Sequence, residues 1–165
     1  MYEINKEESG WLIARVWLTA LEETARDFQG SRPRAFCERA YEHATRQFLK
    51  TMENEHAISA RQTETIREAV EEYIRVGVIG GLFQDASQFE LQETNPNRME
   101  ITVHHCAYRK ICEDLLKGGI SPKDLTCARI GCFAAAVKFL AKVDCVYEIT
   151  AFEPQEVCRG YIERK

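Results

Sequence analysis

The spacing of apolar residues changes in the middle of the chain, and this change limits the folds that the chain can adopt. Up to about residue 83, apolar residues recur every three or four positions, which is typical of amphipathic helices. We predict helices over residues 9–29 and 34–53, and a third from Ser59 to about residue 76. The run Gly77-Val78-Ile79-Gly80-Gly81 is a poor helix interior, so we expect the third helix to end there.

The second half of the chain mixes strand and helix patterns. Residues 86–93 and 98–105 alternate apolar and polar side chains around Thr94-Asn95-Pro96-Asn97, which predicts a β-hairpin. Residues 107–117 and 121–142 are predicted to form two helices, the second of which starts at Ser121-Pro122. Residues 143–152 and 156–164 are predicted to form a second hairpin. This order indicates an α+β fold with a four-stranded antiparallel sheet covered by helices, and the length of 165 residues fits one domain over residues 1–165.

Charge and composition restrict the class of protein. The formal net charge is −4, whereas nucleic-acid binding relies on clustered Lys and Arg, so we expect no nucleic-acid partner. No run approaches the roughly 18 apolar residues of a membrane span, so we expect no membrane partner either. Residues 1–8 are polar and acidic and do not resemble a signal peptide, which favours a cytoplasmic protein.

Cysteine is unusually frequent, with seven residues, of which six follow residue 100. The odd number and the expected reducing compartment argue against a disulfide framework. The seven are Cys37, Cys106, Cys112, Cys127, Cys132, Cys145 and Cys158. Any chemistry of this chain is therefore expected in its cysteine-bearing second half.

His104, His105 and Cys106 lie where a predicted strand meets the next helix. Side chains alternate along a strand, so His104 and Cys106 would share one face while His105 takes the other. A thiol at a helix N-terminus can ionise near neutral pH. Cys106 would then act as a nucleophile with a histidine as its base, or both would bind a metal. The alternative is an exposed histidine beside a small, buried cysteine.

Cys127 and Cys132 are five residues apart on one predicted helix, about 140° around its axis, so both cannot face one site. Cys127 lies nearer the start of that helix and is the better candidate for a reactive thiol. Cys145 and Cys158 occupy the last two predicted strands and could meet across the hairpin.

Residues 104–162 resemble a known superfamily through three short motifs, Cys106-Ala107-Tyr108, Leu125-Thr126-Cys127 and Val157-Cys158-Arg159-Gly160-Tyr161-Ile162. The first is similar to a Cys-Pro-Tyr that opens a helix, the second to a mid-domain cysteine motif and the third to a terminal strand. These are features of the superfamily that unites 4-vinyl reductase-like domains with L-2-amino-thiazoline-4-carboxylic acid hydrolases. The resemblance implies a pocket between helices and sheet that takes a small apolar or heterocyclic molecule.

Zinc-binding members of the vinyl reductase-like branch hold the metal with a helix cysteine, a glutamate and two closely spaced cysteines. The resemblance assigns these roles to Cys127 or Cys132, to Glu148 or Glu153, and to Cys158, without the close pair. A bound zinc or iron ion would follow from that assignment. The residues expected to contact the small molecule are Tyr108, Cys132 and Tyr147.

Two functions of different classes remain open. In the first, the chain is a hydrolase-like enzyme in which Cys106, helped by His104 or His105 and by Cys127, opens or modifies a small heterocycle. In the second, it is a non-catalytic ligand-binding or sensing domain, with the same residues lining a pocket or holding a structural zinc. The likeness to the hydrolase branch favours the first.

The first helix carries Trp11 and Trp17 on partly different faces, which is more apolar surface than one core-facing stripe requires. A homodimer through this helix would explain both residues. Burial within the subunit would explain them equally well.

Overall fold

Helices and antiparallel strands are segregated along the chain in the computed structural model, which describes residues 6–29, 34–121, 124–153 and 157–165. For residues 6–9 and 29 the backbone alone is described. The helices are α1 (Lys6–Gln29), α2 (Arg34–His56), α3 (Ile66–Ile79), α4 (Arg109–Lys117) and α5 (Ala128–Leu140). The strands are β1 (Phe89–Asn95), β2 (Arg98–His104), β3 (Cys145–Phe152) and β4 (Val157–Arg164). The predicted α+β class and element order are confirmed.

The four strands form one antiparallel sheet in the order β1-β2-β4-β3. Strands β2 and β4 join the two hairpins, with Ile101 opposite Gly160. On β2, Met99, Ile101 and Val103 are buried, while the residues between them are half-buried. One face of the sheet therefore contributes to the core, as expected for an antiparallel sheet covered by helices.

Helix α5 lies at the centre of the fold and contacts α2, α3, β3 and β4. Ile130, Phe133 and Val137 have no exposed surface, and burial of each such side chain contributes about 1.5–3 kcal/mol. Gly131 allows the close approach of α2, because a Cβ at this position would lie 2.4 Å from Cδ2 of Tyr41. The helix is therefore enclosed by its neighbours on several sides.

Two helix starts differ from the prediction, and side-chain capping explains both. Helix α3 begins at Ile66 rather than at Ser59, because Thr65 and Glu68 each accept a hydrogen bond from the other's backbone N–H. Helix α5 begins at Ala128 rather than at residue 121, because Cys127 has an extended backbone and occupies the N-cap. The expected start at Pro122 lies outside the described residues.

Gly77 lies inside α3, where we expected the helix to break. The helix continues to Ile79, and the glycine makes room for a ring: a Cβ would lie 2.3 Å from Cε2 of Phe83. Phe83 is buried and packs edge-on against Tyr73, Phe89 and Phe133. Close packing, rather than a turn, explains the glycine at this position.

Most of the large apolar residues of α1 are exposed. Trp11 and Trp17 are 48% and 65% exposed. The other exposed apolar residues of this helix are Leu12, Ile13, Val16, Leu21 and Phe28. Burial within the subunit therefore does not account for the two tryptophans, and the homodimer stays a prediction. Among the helices in the described ranges, none is long and apolar enough to cross a membrane.

Polar contacts attach α1 to the rest of the chain. Arg15 donates from Nε to Oδ2 of Asp114 on α4 at 2.6 Å. Arg26 donates to the carbonyl oxygen of Gly118 at the end of α4 at 3.1 Å. Both bonds lie at the surface or close to it, so solvent weakens the attraction between their charges.

Replacing Gly77 with alanine tests the packing role of this glycine. We expect Gly77→Ala to lower the free energy of unfolding by about 1–3 kcal/mol, because the new methyl group overlaps the buried Phe83 ring. Urea unfolding measures this change. The control is Gly10→Ala in α1, where no atom lies within 4 Å of the added Cβ. The control should leave stability unchanged or raise it by up to about 1 kcal/mol. Equal effects of the two substitutions would contradict the assignment.

Candidate functional site

Four cysteines of the second half lie within electrostatic range of one another. Cys106 precedes α4, Cys112 lies within it, Cys127 caps α5 and Cys158 lies on β4. A thiolate at Cys106 would raise the pKa of each of the other three, so their sulfurs interact electrostatically. The fold thus brings the predicted site cysteines Cys106, Cys127 and Cys158 into one neighbourhood. Sequence reasoning gave no role to Cys112, one helical turn beyond Tyr108.

Burial opposes the formation of a reactive thiolate in three of these residues. Burial, followed by the charge on Cys106, raises the pKa of Cys127, and a hydrogen bond from the N–H of Ile130 lowers it only in part. Burial also raises the pKa of Cys158 to about 12 and that of Cys112 well above its usual range. The thiolate is the nucleophilic form, so the helix start does not activate Cys127 as we expected. Cys106 is half-buried.

Neither His104 nor His105 is placed to act as a base for Cys106. Strand β2 ends at His104, whose Nε2 lies 2.8 Å from Oε1 of Glu90 on the outer side of the sheet. His105 is exposed and has a φ of 47°, so the alternation of the strand stops before Cys106. Cys106 packs instead against the hydrophobic core that contains Ile101, Val103 and Phe133. The expectation that His104 and Cys106 share a face is therefore wrong, and the catalytic roles of these residues stay predictions.

The residues assigned to a metal do not fit a zinc or iron ion. Cys127 and Cys158 are buried, whereas Glu148 is exposed and lies 3.6 Å from Nη1 of Arg34. Glu153, the other candidate, binds Arg159 at 2.8 Å. Within the described ranges, no group of three or more His, Cys, Asp or Glu side chains is arranged to hold a metal ion.

The expected meeting of Cys145 and Cys158 across the last hairpin does not occur. In the register of β3 and β4, Cys145 lies opposite Arg164, and Phe152 lies opposite Cys158. All seven cysteines are free thiols. The prediction that the chain has no disulfide framework agrees with this arrangement.

Arg129 is a buried charge that sequence reasoning missed. It lies in the first turn of α5 and is 4% exposed. Its guanidinium lies over the rings of Phe83 at 4.3 Å, Tyr108 at 4.8 Å and Phe89 at 6.0 Å, measured to the ring centroids. Its Nε has no hydrogen-bond partner. The available sequence signal was an arginine in the first turn of an apolar helix, where the helix dipole disfavours positive charge.

The aromatic rings offset only part of the cost of burying Arg129. A desolvated cation–π contact contributes about 2 kcal/mol. Burying an ion costs several kcal/mol unless a counter-ion and hydrogen bonds compensate for the lost water. Within the described part of the chain, no carboxylate pairs with this guanidinium. The three rings therefore do not fully offset the cost of burying the positive charge of Arg129.

A second polar group lies near the same end of α5. The Tyr41 hydroxyl donates to Oε1 of Glu22 at 2.8 Å, and Thr126 Oγ1 donates to the same carboxylate at 3.0 Å. Burial raises the pKa of Glu22, and these two hydrogen bonds lower it in part. The hydroxyl of Tyr147 approaches Gly131 closely and has no hydrogen-bond partner.

The three residues expected to contact a small molecule fall into two places. Tyr108 stacks on Arg129, and the charge of Arg129 lowers the pKa of Cys132, which burial raises. Tyr147 lies beside Gly131 on α5 and interacts electrostatically with Tyr41. Two of the predicted contacts therefore lie near Arg129, and the third lies near the Glu22 network.

Solved structures are similar to this chain in fold. The crystal structure of the phenol-responsive sensory domain of the transcription activator PoxR with phenol matches with a TM-score of 0.59 and 16% identity, covering 91% of this chain and 74% of that chain. A structure from a study of heme distortion in the H-NOX family matches with a TM-score of 0.44 and 13% identity, covering 100% of this chain and 74% of that chain.

No protein-family model matches the sequence, and the comparison with curated proteins gives no match. The resemblance to the vinyl reductase-like superfamily therefore stays a prediction. The first structural match supports a fold shared with a sensory domain, and at 16% identity it supports the fold alone.

Thiol labelling separates the accessible cysteine from the buried ones. With iodoacetamide at about pH 8, we expect Cys106 to react before Cys112, Cys127 and Cys158, because burial hides these three and raises their pKa values. Mass spectrometry of the labelled peptides gives the order. In urea, all four should react at similar rates. Labelling of Cys127 as fast as Cys106 in the folded protein would show that the helix start activates Cys127 after all.

Proposed function

We propose that this chain is a non-catalytic small-molecule-binding domain of the sensing type, with its ligand at the N-terminal end of α5. The observation that carries the proposal is that Nε of Arg129, a buried polar atom at that end of the helix, lacks a hydrogen-bond partner. Leaving such a group unsatisfied costs about 1–3 kcal/mol. In native folds, unsatisfied buried groups are few, and each points to a further binding partner or a functional role.

The surroundings of Arg129 favour an aromatic ligand. Phe83 and Phe89 are buried and Tyr108 is half-buried, so the guanidinium is surrounded by ring surface. Binding sites for small molecules combine such apolar walls with a few polar groups that orient the ligand. The similarity in fold to a sensory domain that responds to phenol, an aromatic molecule, is consistent with this chemistry.

The hydrolase alternative receives no comparable support. Cysteine catalysis needs a base within hydrogen-bond reach of the thiol. His104 binds Glu90, His105 is exposed, and burial raises the pKa of Cys127. We therefore infer that Cys106 contributes to the structure or to the lining of the site, rather than acting as a nucleophile.

A direct test measures the binding of small aromatic molecules to the purified chain. We expect at least one of phenol, benzoate and benzamide to bind with a 1:1 stoichiometry in calorimetry and to be recovered chemically unchanged. At about one hundred times its Kd, a ligand stabilises the native state by about 2.7 kcal/mol, which raises Tm by roughly 5–10 °C for a domain of this size.

Two tyrosine substitutions locate that binding. Tyr108→Ala should weaken it at least tenfold, because the ring covers Arg129. Tyr161→Ala is the matched control. The Tyr161 ring also stacks under an arginine, with Cζ of Arg98 3.6 Å from its centroid, but this pair lies on the outer side of the sheet. Equal weakening by both variants would place the ligand elsewhere. The absence of binding by all three compounds, or their conversion to products, would contradict the proposal.

A further inference from the structure

We propose that the ligand of this domain is a small aromatic carboxylate and that the guanidinium of Arg129 binds its carboxylate group. This inference rests on the proposed function and names the ligand class for the same site. It follows from the balance of charge around Arg129, from the rings that surround it and from its place on α5.

The positive charge at this point has no negative partner within the described ranges. Arg129 is 4% exposed, and its contacts are with three aromatic rings. The nearby groups that could ionise remain neutral near neutral pH, because burial raises the pKa of Cys132 and of Tyr108. The charge of Arg129 is therefore uncompensated by these neighbours.

The helix adds to the same positive field. Arg129 is the second residue of the 13-residue α5, so it lies in the first turn, at the positive end of the helix dipole, although Cys127 caps the Ile130 N–H there. The helix dipole and the guanidinium both favour negative charge in this part of the protein. A neutral ligand would leave this field unchanged, whereas an anion would neutralise it.

The form of the anion follows from the chemistry of the guanidinium. Its planar fork matches the two oxygens of a carboxylate, and such pairs form two parallel hydrogen bonds. The unpartnered Nε is one of the donors that this geometry uses. The rings of Phe83, Phe89 and Tyr108 provide apolar surface for the rest of the ligand, and flat aromatic groups stack well on such rings.

Tyr108 marks the direction from which a ligand would enter. Of the three rings over Arg129, those of Phe83 and Phe89 are buried, while Tyr108 is half-buried. Tyr108 is also the N-cap of α4, and its side chain makes no capping hydrogen bond. Rotation of its side chain would therefore break no capping hydrogen bond and would uncover the guanidinium.

The first test compares ligands on the unmodified chain. Benzoate and benzamide have the same ring and nearly the same shape, but only benzoate carries a charge. We expect benzoate to bind at least tenfold more tightly than benzamide in calorimetry, and acetate, which has the charge without the ring, to give no measurable binding. Benzoate binding equal to or weaker than that of benzamide, or measurable binding of acetate, would overturn the assignment.

The second test removes the charge. Arg129→Met should abolish the preference for benzoate over benzamide. Without ligand, its Tm should equal or exceed that of the wild type, because an uncompensated buried cation has been replaced by an apolar side chain. A purely structural role for Arg129 predicts the opposite, a lower Tm with the preference retained. If the variant does not fold, the structural role is supported and the assignment fails.

Arg98→Met is the matched control. Arg98 also stacks on a tyrosine ring, but it is paired with Glu100 and Glu163 at the surface. This variant should keep the preference for benzoate. If phenol or benzamide binds as tightly as benzoate, the proposed function stands, and only the assignment of an anionic ligand is refuted. Failure of all the aromatic compounds to bind would refute the proposed function itself.

Discussion

The enclosure of α5 is the constraint on which the rest of the structure depends. This helix contacts α2, α3 and two strands, and its residues Ile130, Phe133 and Val137 are fully buried. A helix that is apolar on all sides is stable in water only when other elements cover every side. Small residues permit this, since Gly131 lets Tyr41 of α2 approach more closely than any larger residue would allow. The sheet, α2 and α3 are therefore positioned by a shared surface.

A charge on such a helix has consequences for both stability and binding. Arg129 occupies the first turn of α5, where the helix dipole and the lack of water both oppose its charge. Three aromatic rings reduce the cost without removing it. Functional sites often contain interactions that are unfavourable for stability alone, and the surrounding packing has to compensate for them. The dense packing around α5 can supply this compensation.

The sequence predicted the class and order of elements well, because the spacing of apolar residues and the turn around Asn95 are local signals. It failed where tertiary contacts decide the outcome. An apolar stripe identifies one side of α1 but does not say whether that side meets the core. Gly77 predicts the end of a helix in the sequence, and only the structure shows that the glycine makes room for the ring of Phe83. The sequence predicted that Cys106, Cys127 and Cys158 lie in one region, because the predicted ends of strands and helices indicated it. The position of His104 beside Glu90 could not be predicted, because it depends on the residue at which β2 ends. Arg129 was missed because an isolated arginine is usually exposed.

The way in which α1 is attached gives this helix a different physical character from the core. Most of its large apolar residues face outward, and Arg15 and Arg26 bind α4 at the surface, whereas Ala25 packs in the core. Dissolved salt screens such attractions, whereas strongly hydrated salts such as sulfate strengthen the burial of apolar surface around α5. Sulfate therefore acts on the two kinds of contact in opposite directions, because it weakens the surface ion pairs of α1 and strengthens the apolar packing of the core.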